Sequence, residues 1–168
     1  MPGREVMKIG IPREVYPGER RVAATPHTVR ALCEMGFTVA VERGAGEAAT
    51  FSDAAYETAG AEIATDPRAL WHESGLIAKV RPGVHPTLGE HEADWLSAGS
   101  CLVAFMSPTA NEALLDRIAA RGASVLAMDQ IPRITIAQGM DALSSMANIA
   151  GYRAVVEAAH EFGSFFNG

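Results

Sequence analysis

Short apolar runs alternate with segments of helical period along the whole chain, each change of period marked by Gly or Pro, and this alternation constrains the fold more than any single motif does. Lys8–Ile11 and residues 37–41, 76–80, 101–105 and 124–128 read as strands. Between them, Thr25 caps a helix opened by Pro26, with Val29, Leu32 and Cys33 on one face before Gly36. Ser52 or Asp53 caps a short helix that stops at Gly60, and Asp66-Pro67 opens one carrying Leu70 and Trp71. Helices are expected at 90–96 and 111–121, and the longest runs from about residue 140 to 162. The run 101–105 is apolar throughout, which suits burial on both faces. The pattern predicts an α/β fold: a Rossmann-like, three-layer parallel sheet flanked by helices, ending in a long C-terminal helix. Ligands of such a sheet gather outside the carboxyl ends of its strands.

Composition narrows the function classes. At 168 residues the chain has room for one sizeable core but not for a complete two-domain enzyme. Fourteen Lys and Arg against 20 Asp and Glu give a formal charge of −6 with no basic run, which disfavours a nucleic-acid partner. Cys33 and Cys101 lack metal-ligand spacing and fit buried thiols in a reducing compartment. No run of about 18 apolar residues predicts a membrane span, and the start lacks the apolar centre of a signal peptide.

Three stretches carry candidate chemistry. Gly44 to Ala49 (GAGEAA) matches a dinucleotide glycine fingerprint after a strand, but the best helix cap lies beyond it at Ser52 or Asp53, so a plain strand-to-helix loop is the simpler expectation. Glu90, His91, Glu92 and Asp94 form a charged run expected to be a solvated helix face. The five histidines do not converge on a metal, and no HExxH, GxSxG or P-loop lysine motif occurs. The most informative stretch is 132–148 (PRITIAQGMDALSSMAN). Asp141, Ser144, Ser145 and Asn148 share one helix face there, behind a loop carrying Arg133. A carboxamide would suit it: Arg133 and Ser144 on the acceptor, Asp141 or a backbone carbonyl on the donors. The same residues equally suit capping, with Thr135 and Gln138 at capping-box spacing and Asp141 in the first turn against the helix dipole. Ala147, Ala150, Gly151, Ala154 and Ala158 form a small-residue stripe suited to close backbone approach.

Residues 7–14 (MKIGIPRE), 21–26 (RVAATP), 36–42 (GFTVAVE), 44–46, Lys79-Val80 and above all 141–163 (DALSSMANIAGYRAVVEAAHEFG) resemble the alpha subunit of bacterial proton-translocating NAD(P) transhydrogenase. The resemblance spans residues 7–168. It implies two α/β lobes around an NAD(H) cleft, the first interrupted by a second, Rossmann lobe. On that pattern 1–6 is a leader, 7–138 the first lobe, and 139–168 the helix leading toward the second. The chain stops at Phe165-Phe166-Asn167-Gly168, before the pyrophosphate loop would begin, so the isolated piece is expected not to be catalytic.

Carried over by motif, the resemblance assigns Arg133, Gln138, Asp141 and Ser144 to the nicotinamide and its ribose. Ile136 departs from it, standing where the family commonly has Arg. The implied function is hydride transfer between NAD(H) and NADP(H) coupled to proton translocation. NADP(H) would lie on a partner domain, with a beta subunit and membrane portion as partners. A homodimeric alpha region on the cytoplasmic side of the inner membrane completes the implied assembly. Alanine dehydrogenases share this architecture and are the alternative; their pyruvate-binding arginine would fall at Arg21 and their substrate lysine at Arg81. Their catalytic histidine has no counterpart in 103–109. A non-catalytic binding module of the same fold is a third possibility.

Overall fold

The computed structural model describes residues 6–164, so the expected leader, Val6 excepted, and the terminal 165–168 lie outside the described residues. Contacts divide the chain into two units, Met1–Ala127 and Met128–Gly168.

The first unit is a six-stranded sheet, every pair parallel: β1 (Lys8–Ile11), β2 (Thr38–Glu42), β3 (Glu62–Ala64), β4 (Leu76–Ala78), β5 (Cys101–Ala104) and β6 (Ser124–Ala127) in the order β3-β2-β1-β4-β5-β6. The order reverses beside β1, between its neighbours β2 and β4. Side chains alternate across the sheet as the pleat requires. Ile9, Ile11, Val39 and Val41 face one core with Val29 of α1 (Pro26–Glu34) and Tyr56 of α2 (Asp53–Thr58). Ile77, Leu102 and Ala104 face a second with Trp71 of α3 (Pro67–Glu73) and Ile118 of α4 (Glu112–Ala120). The expected three-layer arrangement is thus present. Gly10 makes the second layer fit: a Cβ there would stand 2.5 Å from Ser74 Oγ, at the end of α3.

The expected caps form. Thr25 Oγ1 accepts from Thr28 N–H, Ser52 Oγ from Ala55 N–H, and Asp66 from Arg68 and Ala69 N–H. Three expectations need correction. β3 was not foreseen, because three residues with a single large apolar side chain carry no periodicity. β5 is not buried on both faces: Leu102 and Ala104 are buried but Cys101 and Val103 only half so, because α4 covers one face of this end of the sheet. The helix expected at 90–96 is a single 3₁₀ turn, Glu92–Trp95, capped by His91 Nδ1.

The GAGEAA loop is folded on itself. Gly44 N–H donates to Asp53 Oδ1 at 2.9 Å, a 3₁₀ turn occupies Glu47–Ala49, and the true helix opens only at Asp53. Gly46 is required by packing, since its Cβ would lie 2.6 Å from Tyr56 Cε2 and 2.7 Å from the Phe51 carbonyl oxygen. Gly46→Ala should therefore lower stability by about 1–3 kcal/mol in thermal unfolding with no ligand present; an unchanged melting temperature would return the glycine to a nucleotide role.

Candidate functional site

The carboxyl edge of the sheet is organised by a buried charge cluster. Lys79, just past β4, has a side chain fully out of solvent. Its Nζ donates to the Arg13 carbonyl oxygen at 2.5 Å and lies 3.0 Å from Glu92 Oε1 and 3.8 Å from Glu14 Oε2. The carboxylates are held in turn by backbone: Glu14 accepts from Val80 and Arg81 N–H, and Glu92 from Gly83 N–H. The charged run 90–94 is therefore not a solvated helix face. Glu92 is 1 % exposed, Glu90 accepts from Trp95 Nε1 and pairs with Arg68, and Asp94 pairs with Arg117. Burial pushes the Glu92 carboxyl up to about 7, against the pull of Lys79, and raises Glu14 as well.

Two cavities flank the cluster. One, of about 360 Å³, is lined by Tyr16, Arg81, Phe105, Ser107, Asn111 and His91. Arg81 lies over the Tyr16 ring, and Ser107 at the end of β5 adopts a left-handed backbone with φ 45°. Arg21 is held by a fork to Glu19, whose carboxyl it pulls down to about 2. No histidine lies in 103–109; the cavity's imidazole, His91, comes from another element. The second cavity, of about 630 Å³, lies outside β1, β2 and β3.

The second unit carries the residues singled out in 132–148. A 3₁₀ segment, Thr135–Met140, leads into α5 (Ala142–Glu161). The Thr135–Gln138 capping box does not form, since the 3₁₀ segment has no side-chain cap. Asp141 is the cap itself rather than a first-turn residue: Oδ1 accepts Ser144 N–H at 2.9 Å and Oδ2 accepts Ser144 Oγ–H at 2.5 Å. These two bonds, with the Arg133 charge, hold the Asp141 carboxyl below its usual range. Gln138 joins through its backbone, its carbonyl accepting Asp141 N–H at 3.3 Å. The Arg133 guanidinium and the Gln138 amide have no hydrogen bond among the described residues, so both are available to a ligand. The Ser144 proton is already given to Asp141, which reverses part of the expected carboxamide scheme: Arg133 remains the donor, while Asp141 and Ser144 Oγ offer lone pairs. Ile136 is 89 % exposed, so no core explains it. No residue of α5 is buried, and a Cβ on Gly151 would meet nothing within 4 Å.

The sequence matches the family model described as alanine dehydrogenase/PNT, N-terminal domain, over residues 10–150. It is 48 % identical to NAD(P) transhydrogenase subunit alpha of Cereibacter sphaeroides across 162 residues, 96 % of this chain and 30 % of that relative. The structure is similar to the transhydrogenase from Sinorhizobium meliloti, with a TM-score of 0.84 and 39 % identity, covering 94 % of this chain and 45 % of that one. It is also similar to an L-alanine dehydrogenase, with a TM-score of 0.79 and 28 % identity, covering 92 % and 40 %. The chain thus spans less than half the length of these relatives.

The buried cluster predicts a pH response. Raised from 4.5 to about 7, Glu92 favours the fold when protonated, so its contribution is full below about pH 4.5 and fades as pH rises through about 7. Glu92→Gln should flatten the loss of stability between pH 5 and 8 by up to about 3 kcal/mol in urea titrations. Lys79→Met strands two buried carboxylates and should cost about 3–5 kcal/mol at pH 8, less at pH 5.

Proposed function

Because the chain belongs to the alanine dehydrogenase/PNT N-terminal-domain family, we propose that it forms the first lobe of a transhydrogenase alpha subunit that binds NAD(H). The whole protein would pass hydride between NAD(H) and NADP(H), coupled to proton translocation. NADP(H) and the membrane portion would be carried by partner subunits, on the cytoplasmic side of a bacterial inner membrane, with the alpha region a homodimer. One observation supports this most: the Asp141–Ser144 pair is fixed at the start of α5, with an Arg133 that has no hydrogen-bond partner among the described residues close enough to bias the carboxylate. Such a set fits a carboxamide, with a cationic donor on its oxygen and lone pairs on its amide. When both nicotinamides are bound, hydride passes directly between them. The protein's task is then orientation and exclusion of water, with no acid–base group required.

The alanine dehydrogenase alternative draws support from His91 and Arg81 on one cavity. It lacks an imidazole at the end of β5, where that family's catalytic histidine would be expected. Alanine-dependent NAD reduction by the intact protein, abolished by His91→Asn, would favour it.

In the intact subunit, Arg133→Ala should slow hydride transfer by roughly tenfold to a hundredfold, since a misplacement of ~1 Å can cost that much. NADH affinity should change far less. Asp141→Asn sharpens the test, because Asn caps helices about as well as Asp. Melting temperature should hold while hydride transfer falls. Equal losses of rate and affinity in the first variant, or wild-type turnover in the second, would contradict the assignment.

A further inference from the structure

The cavity of about 630 Å³ outside β1, β2 and β3 has no part in the function proposed above, and its free hydrogen-bonding groups are mostly donors. It lies outside the carboxyl ends of the strands, the general side of ligand sites in open parallel sheets, on the β2 side of β1 rather than at the β1–β4 point where strand order reverses. His85 lines it while only 5 % exposed. The Leu88 N–H donates to His85 Nδ1 at 3.3 Å, so the ring proton sits on Nε2, and that N–H has no partner among the described residues. The Arg43 guanidinium, also on the cavity, has no hydrogen bond or ion pair among the described residues. Arg13 touches Glu42 only through Nε at 3.8 Å, which leaves the outer fork of its guanidinium open.

The carboxylates of the cavity do not cancel these donors equally. Glu42 is buried and accepts the Arg13 backbone N–H at 2.9 Å. Asp66 is engaged in capping α3. Glu47, exposed beside Gly44, is the one carboxylate there with no hydrogen bond or ion pair among the described residues. The cationic Arg68 is likewise spent on Glu90. What remains is two guanidinium groups and one imidazole N–H around a space larger than a single ion, with Pro67 and Leu88 as apolar wall.

We propose that this cavity binds a phosphate group through Arg13, Arg43 and His85, either as the free dianion or as the end of a small phosphomonoester. Burial, together with the positive charges of Arg13, Lys79 and Arg68 and against Glu42, holds the His85 imidazole below its ordinary range. The neutral ring still supplies its Nε2–H as a donor. Guanidinium forks match phosphate oxygens in geometry as well as charge.

The test uses NMR of the imidazole signals, with His85 identified by its loss in His85→Asn, at fixed pH and ionic strength. Inorganic phosphate and ribose 5-phosphate are the probes, and chloride is the control. Both probes should shift the His85 signals saturably at millimolar concentration or below. Arg43→Ala, at an exposed position, should weaken binding at least tenfold, and Glu47→Gln should tighten it. Equal affinity for the two probes assigns the site to free phosphate; at least tenfold tighter ribose 5-phosphate assigns it to the ester. An unsaturated shift, the same shift with chloride, or undiminished binding in Arg43→Ala would overturn the proposal.

Discussion

The Lys79 ammonium is the point on which the carboxyl edge of the sheet depends. An ammonium fully out of solvent is tolerated only if paired and hydrogen-bonded, and here its partners come from two segments far apart in sequence. The loop after β1 supplies the Arg13 carbonyl and Glu14, and the excursion after β4 supplies Glu92. Glu14 then accepts backbone N–H groups of the segment after β4, and Glu92 accepts one from Gly83 within its own excursion, so the loop after β1 is tied to that segment and the excursion is closed on itself. Two carboxylates face one ammonium in a dry site. Burial raises both Glu92 and Glu14 against the pull of Lys79, and a smaller push comes from Glu14 on Glu92 and from Glu19 on Glu14.

That cluster also marks where the sequence ceased to be informative. Strands β1, β2, β4, β5 and β6 were legible because short, mainly apolar runs between Gly or Pro signals leave few alternatives, and α1, α2 and α3 because Thr25, Ser52 and Asp66 are strong caps. The segment 90–96 misled for a physical reason. Local pattern makes Glu90, Glu92 and Asp94 a polar helix face, yet each is claimed by a distant group: Trp95 and Arg68 for Glu90, Lys79 for Glu92, Arg117 for Asp94. Tertiary ion pairs overrode local propensity and left one 3₁₀ turn. A lysine directly after an apolar strand was the available signal, since burial there demands a carboxylate from elsewhere.

At the start of α5 the sequence presented a choice between cap and site, and the structure changes its terms. Asp141 does cap, through Oδ1, while Oδ2 takes the Ser144 hydroxyl proton, so its placement no longer needs a ligand to explain it. The same two bonds fix the carboxylate in one orientation and lower its affinity for protons, which is also what a preorganised acceptor requires. Capping and binding are therefore compatible uses of one geometry. Arg133 and Gln138 carry the distinction between them, because neither side chain contributes to the cap.

The loops around Lys79 give the edge a further property. Arg13 has both its backbone groups engaged, its N–H by Glu42 and its carbonyl by Lys79, so the root of its side chain is fixed while the guanidinium stays partly exposed. Gly83, held by Glu92, lines the smaller cavity, and His85, two residues on, lines the larger. One buried ammonium thereby positions walls of two cavities at once. Loss of the Lys79–Glu92 contact would release the excursion after β4 and with it a wall of each cavity, although Lys79 lines neither. Rigidity at this edge is thus a collective property of one charge cluster, and the side chains that face the cavities are placed through backbone atoms rather than through contacts of their own.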